Sequence, residues 1–287
     1  MSTSVNKLLD VKVNFTNEHI FKNSTYFPNS IRALLIRASN SGKSTLLFKL
    51  PLINDMLDYN NLIILSTSLN QKEYQLIIHG FKNKLTKSDI LAFIQNEDKF
   101  KTDDGELLPI NELCESFASA TKPKGDITVT AVSRPEFIPH PDQLNSKKKN
   151  LCIFDDVLEQ KQNIISSYFT KGRHNSCQSI YISQSYMNVP KGTIRNNCNF
   201  LILFRLDPVD VVNVHEQIVK GDMTLAEFRH LCSLVWTEKY KYLVIDKDNE
   251  DINWKYRDGL FTPFSEIDKM LYRRVAKLDD SIIGYNK

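Results

Sequence analysis

The chain has 287 residues, 41% of them hydrophobic, enough to bury a full core in one large or two small domains. Its 37 basic and 34 acidic residues leave a formal charge of +3, too small to mark a nucleic-acid binder by net charge alone. No apolar run approaches the ~20 residues of a membrane span, and the opening Met-Ser-Thr-Ser-Val-Asn-Lys lacks the apolar core of a signal peptide, so no membrane span and an intracellular place of work are expected.

Residues 1–30 are polar and aromatic without a sustained period and read as a lead-in packing beside the first strand. A strand is predicted over 31–36, apolar apart from Arg32, running into Arg37-Ala38-Ser39-Asn40-Ser41-Gly42-Lys43-Ser44-Thr45 and then a helical pattern. Strand, small-residue loop, Gly-Lys-Ser and helix together make a P-loop. In such a loop successive backbone N–H groups wrap a phosphate, the helix N-terminus adds partial positive charge, Lys43 reaches the β- and γ-phosphates, and the Ser44 hydroxyl ligates Mg²⁺. Ser39, Asn40, Ser41, Gly42, Lys43, Ser44 and Thr45 are therefore the expected nucleotide-binding residues. Arg37 stands where the pattern has its first glycine, which an arginine can do only with an ordinary backbone conformation.

A second buried strand is expected at 61–66, followed by a helix through Tyr74, Ile77 and Ile78, which implies a parallel sheet. From about 80 to 125 the apolar spacing is helical (Ile90, Phe93, Ile94, Leu113, Phe117), broken by the turn-like Thr-Asp-Asp-Gly at 102–105, and reads as an insertion. A strand at 127–132 follows. Pro135, Pro139 and Pro141 then argue against regular structure, and the lysine run at 147–149 makes a solvated loop.

At 150–156, Asn-Leu-Cys-Ile-Phe-Asp-Asp has the form of a Walker B strand: four apolar residues deliver two carboxylates beside the P-loop. Asp155 is expected to hold the Mg²⁺ shell and Asp156 to accept a proton from the attacking water. Alone, an apolar run ending in Asp-Asp is more often a plain strand-to-turn transition; the upstream P-loop reverses that balance.

The strand after it, Ser-Ile-Tyr-Ile-Ser at 179–183, ends at Gln184, placed to sense the γ-phosphate or the attacking water, or else merely to cap a turn. Further strands are expected at 200–204 and 242–245, with helices near 208–219 and 224–235, and a peripheral tail over 251–287. The whole reads as one P-loop ATPase domain over 31–250 of the additional-strand (RecA-like) type, with a mostly parallel central sheet flanked by helices. Five cysteines without a C-x-x-C pair indicate neither a disulfide framework nor a zinc site, and are expected to be reduced and mostly buried.

In order along the chain, Ser39-Asn-Ser-Gly-Lys-Ser-Thr45, Ile153-Phe-Asp-Asp156, the Lys-Gly-Arg-His run at 171–174, Ile182-Ser-Gln-Ser185 and Thr193-Ile-Arg-Asn-Asn197 resemble the viral DNA-packaging ATPases of the FtsK–HerA superfamily, as found in poxviruses, giant viruses, virophages and Maverick/Polinton elements. The resemblance covers roughly residues 30–245. It implies an ATP- and Mg²⁺-dependent motor that assembles as a ring, expected to be a hexamer, and drives double-stranded DNA into a viral capsid through a portal-like vertex at the site of virion assembly. Carried over by position, Lys43 and Ser44 bind phosphate and metal, Asp155 holds the metal, Asp156 activates water and Gln184 senses the γ-phosphate. It also implies an arginine finger from a neighbouring subunit, Arg173 first and Arg195 second. A helicase or segregation pump would share these residues, and a nucleotide-dependent scaffold without turnover is the non-enzyme alternative, supported by Arg37.

Overall fold

The computed structural model describes residues 21–37, 45–96, 109–145 and 147–264. Nine strands form one sheet in the order β3-β2-β4-β5-β1-β6-β7-β8-β9. They are β1 (Arg32–Ile36), β2 (Asn61–Ser66), β3 (Thr128–Val132), β4 (Asn150–Asp155), β5 (Cys177–Ser183), β6 (Phe200–Phe204), β7 (Tyr242–Asp246), β8 (Tyr256–Asp258) and β9 (Thr262–Pro263). The first six strands in the order, β3 to β6, pair in parallel, and β7, β8 and β9 add on antiparallel. The fold is thus α/β with a mostly parallel sheet, as the strand–helix alternation of the sequence implies.

The central strands are apolar without alternation because helices cover both faces. Their pleat divides each run between two cores. Leu35, Ile64, Ile153, Ile182 and Ile202 point into one, with Phe48, Tyr74, Ile77, Ile90, Phe93 and Cys114. Leu34, Ile63, Phe154, Tyr181 and Leu203 point into the other, with Ile165, Phe169, Val214, Phe228 and Leu231. The first core lies under α1 (Thr45–Leu52), α2 (Lys72–Lys82), α3 (Lys87–Gln95) and α4 (Ile110–Thr121); the second lies under α5 (Gln162–Lys171), α6 (Pro208–Val214) and α7 (Leu225–Val235).

Two sequence expectations change. Over its described residues, 80–96 and 109–125, the segment read as an insertion falls between the adjacent parallel strands β2 and β3, and its helices α3 and α4 contribute Ile90, Phe93 and Cys114 to the same core as the sheet. Gly80 marks the contact: a Cβ there would stand 2.6 Å from Ile90 Cγ1, so α2 and α3 meet only because that position has no side chain. The tail is not peripheral over its described part. The strands β8 and β9 extend the sheet beyond β7, Tyr256 and Leu260 are buried, and the Arg257 side chain is 1% exposed. Its guanidinium donates to the carbonyls of Tyr26 and Leu260 and faces the Asp246 carboxylate at 3.5 Å. A short strand built around a buried arginine carries no hydrophobic pattern, which is why it reads as a tail.

The prolines behave as expected in part: Pro135 and Pro141 each open a single 3₁₀ turn, and no longer element forms there. All five cysteines are free and buried, with Cys152 Sγ and Cys177 Sγ 3.2 Å apart across β4 and β5.

Candidate functional site

The carboxyl ends of the parallel strands share one edge of the sheet, where ligands bind in open α/β folds. The register shows which residues arrive there together. Ile36 of β1 pairs with Ser183 of β5, and Asp155 of β4 pairs with Ile182 of β5 and Ser66 of β2. The next residues, Arg37, Gln184, Asp156 and Thr67, therefore leave neighbouring strands at one level. Arg37, Ser68, Gln71, Asp155, Asp156 and Gln184 line one cleft.

Asp155 is 5% exposed at the end of β4, and a carboxylate so placed requires partners. The Tyr74 hydroxyl of α2 donates to its Oδ2 at 2.8 Å, and the Arg37 guanidinium stands 3.5 Å from its Oδ1. Burial first, and the Asp155 charge second, push the Tyr74 hydroxyl well above its usual range, so it remains a proton donor to the carboxylate. Arg37 keeps an ordinary backbone: it is absent from the positive-φ residues among those described, and its N–H donates to Ser183 O at 3.0 Å, continuing the β1–β5 ladder. That is the condition under which an arginine can replace the glycine.

Asp156 differs from its neighbour in every respect. It is exposed, has φ +57°, and its Oδ2 accepts hydrogen bonds from Thr67 Oγ1 at 2.7 Å and Ser68 Oγ at 3.1 Å. Aspartate is among the few non-glycine residues that enter the left-handed region readily. The turn swings its carboxylate away from Asp155 and onto the loop after β2.

Gln184 is exposed on the cleft. The residues behind it are clamped by Asp210 of α6, which is 2% exposed and accepts from the Tyr186 N–H at 2.7 Å and the Met187 N–H at 3.2 Å. Tyr74, Thr67 and Asp210 support the site and were not singled out from the sequence. Thr67 follows an apolar strand as a polar residue and was in principle detectable. Asp210 and Tyr74 sit in helices whose spacing announces only packing.

Ser39, Asn40, Ser41, Gly42, Lys43 and Ser44 lie outside the described residues, and Thr45 is the first residue of α1. The two arginines of interest are elsewhere. Arg173 is exposed in a 3₁₀ turn at the amino end of β5, so the seven residues of that strand separate it from Gln184, roughly 20 Å at ~3.3 Å per residue. Arg195 is 6% exposed; it stacks on the Tyr186 ring at 4.9 Å and donates to Gln217 Oε1 at 3.2 Å. Burial thus removes it from the role of an arginine reaching into a neighbouring subunit.

The decisive feature is the place of β5, between β1 and the strand carrying Asp155. This is the strand order expected of an additional-strand P-loop fold, an α/β fold with a mostly parallel central sheet. No protein-family model matches the sequence, and no curated protein matches it either. Among solved structures the chain is similar to the genome packaging NTPase B204 of Sulfolobus turreted icosahedral virus 2 in complex with ATP-gammaS, with 14% identity, 76% of this chain and 93% of that one covered, and a TM-score of 0.43. It is also similar to the DNA-packaging ATPase B204 of Sulfolobus turreted icosahedral virus (14% identity, 77% and 94% covered, TM-score 0.43) and to VirB4 of Thermoanaerobacter pseudethanolicus (11% identity, 76% and 87% covered, TM-score 0.42). Among the described residues no helix is long and apolar enough to cross a membrane.

Proposed function

We propose that the chain is an ATP-driven motor that moves double-stranded DNA, working as a ring of its own copies and packaging a viral genome into a capsid in the infected cell. The observation carrying the enzymatic part is the convergence of Arg37, Asp155, Asp156 and Gln184 on one cleft at the carboxyl edge of the sheet. The order and spacing of the sequence motifs support the DNA-packaging part.

In this reading the loop over 39–45 cradles the triphosphate, with Lys43 set against the charge of the transferring phosphoryl group. The residues present suit Mg²⁺: Asp155 offers hard oxygen ligands, and the guanidinium already beside it marks a spot that demands positive charge. Asp155 and Ser44 would hold the ion, which when bound offsets charge on the phosphate oxygens. Asp156, held by Thr67 and Ser68, takes the proton of the attacking water, and Gln184 orients that water or the γ-phosphate. Arg173 can meet a nucleotide only across a subunit boundary, because its own cleft lies at the far end of β5.

A scaffold that binds nucleotide without turnover is the second reading, favoured by the contact of Arg37 with the carboxylate meant for the metal. A helicase or segregation pump shares the site and differs in its partners. Steady-state phosphate release with and without duplex DNA separates the DNA motors from the scaffold. The motor reading predicts Mg²⁺-dependent turnover that rises with duplex DNA; turnover indifferent to DNA would remove the DNA-motor reading, and binding without turnover would favour the scaffold.

A further inference from the structure

The strand β1 is apolar except at Arg32, which opens it at the end of the sheet opposite the candidate cleft. There the amino ends of β5, β1 and β6 meet the carboxyl end of the antiparallel β7. Together they bring Arg173, Arg32, Asn197 and Lys247 to one cleft of about 320 Å³, within the usual range of small-ligand sites. Arg32 Nε donates to Asn197 O at 2.6 Å and Lys247 Nζ to Cys198 O at 2.6 Å, so both stems are pinned to the turn before β6. Asp248 is the acidic residue lining this cleft, and its Oδ2 is engaged by Asn199 Nδ2 at 2.6 Å. Among the described residues, Arg32, Arg173 and Lys247 form no ion pair. Burial lowers the Arg32 pKa, Asp248 opposes that shift, and the charge of Arg173 adds to it. Two guanidiniums thus share the cleft without a carboxylate between them, a repulsion that an anion relieves. The recess on the other side of Arg32 carries Asp246, Asp248 and Glu250, which confines the demand for negative charge to the Lys247 side.

We propose that this cleft is a phosphate-binding site, in which Arg32 and Lys247 hold the oxygens of a phosphate group and Arg173 closes on it from the rim. The site lies at the other end of β1 from the loop over 39–45 and does not depend on a nucleotide there. A guanidinium forks onto phosphate oxygens and an ammonium adds a point charge, so the two cations are complementary donors. Because the cations arrive from separate strands, they suit a tetrahedral group with oxygens on every side better than a planar carboxylate. The exposed Asn196 amide adds a neutral donor beside them. Free pyrophosphate and the backbone of duplex DNA offer the same phosphate oxygens, and the two are told apart by experiment.

The test uses the full chain carrying Lys43→Ala, in EDTA, so that the loop over 39–45 contributes little phosphate binding of its own. Pyrophosphate binding is read by calorimetry, and binding of a labelled DNA duplex by fluorescence anisotropy. Adding Arg32→Gln or Lys247→Gln should weaken at least one probe by about tenfold or more, and Arg32→Lys should weaken it several-fold, since an ammonium lacks the fork. Lys82→Gln removes the same charge from the exposed face of α2 and should change neither probe. Should Arg32→Gln fail to fold, Arg173→Gln, on an exposed turn, carries the test together with Arg32→Lys. Loss of pyrophosphate alone assigns the site to free phosphates; loss of duplex, with a salt dependence shallower by about one ion per cation removed, assigns it to the DNA backbone. Parental affinity for both probes in the folded variants would overturn the proposal, as would an equal loss in Lys82→Gln or failure of the parent to bind either probe.

Discussion

Thr67 Oγ1 donates to Asp156 Oδ2 over 2.7 Å, tying the loop after β2 to the second carboxylate of the β4 turn. A donor at that oxygen fixes where the base points. Asp156→Asn keeps the shape and tolerates φ +57°, so nucleotide binding should persist while hydrolysis falls by about two orders of magnitude. Thr67→Val should lower turnover about tenfold with little change in binding, and Thr67→Ser should restore it. Equal loss of nucleotide binding in all three variants would contradict a positioning role.

Arg173 lies at the opposite end of β5 from Gln184, so any catalytic role must be in trans. Arg173→Ala subunits should bind ATP and hydrolyse it poorly, since such a finger is worth about three to five powers of ten. Mixing them with Lys43→Ala subunits should restore turnover, because an intact Lys43 site then meets an intact neighbouring Arg173. No recovery in verified mixed assemblies would assign Arg173 to an ordinary solvent-facing role.

The buried Arg257 predicts that the segment after residue 250 is structural. Arg257→Ala strands the Asp246 carboxylate at 5% exposure, and breaking such a pair costs about 3–5 kcal/mol. The melting temperature should drop by about 10 °C. A change of a degree or less would mean that β8 contributes little.

Lys87 offers a pH test away from the site. Its ammonium donates to Leu57 O at 3.0 Å and lies 4.1 Å over the Tyr59 ring, and burial lowers its pKa from 10.5 to about 8 against the opposing pull of Asp58, Asp55 and Asp126. Between those two values the unfolded chain binds the extra proton, so stability conferred at this position rises with pH. In urea unfolding, the difference between wild type and Lys87→Met should shift in favour of wild type as pH rises from 7 to 10. A difference constant across that range would contradict the lowered value.

Most of the sheet was legible because helices cover both faces of its central strands, so β2, β4, β5 and β6 read as short continuous apolar runs. Asp155, Asp156 and Gln184 were legible for a related reason: each follows such a run at the end where a parallel strand delivers its ligands. What stayed hidden depends on contacts between distant segments. Nothing local to Tyr74 indicates that its hydroxyl meets Asp155, 81 positions away, and nothing near Arg257 indicates that Tyr26 O receives its proton. Arg195 shows the converse. In the sequence it is a polar-turn arginine that the resemblance offers as a second finger; folded, it is packed on Tyr186 and 6% exposed.

The central claim is that this cleft hydrolyses ATP by P-loop chemistry, and steady-state phosphate release by wild type and Lys43→Ala in Mg²⁺ tests it most directly. The account predicts measurable wild-type turnover and, in a variant with an unchanged melting temperature, a fall of about two or more orders of magnitude, since Lys43 opposes charge on the transferring phosphoryl group. Wild-type turnover in folded Lys43→Ala would contradict it.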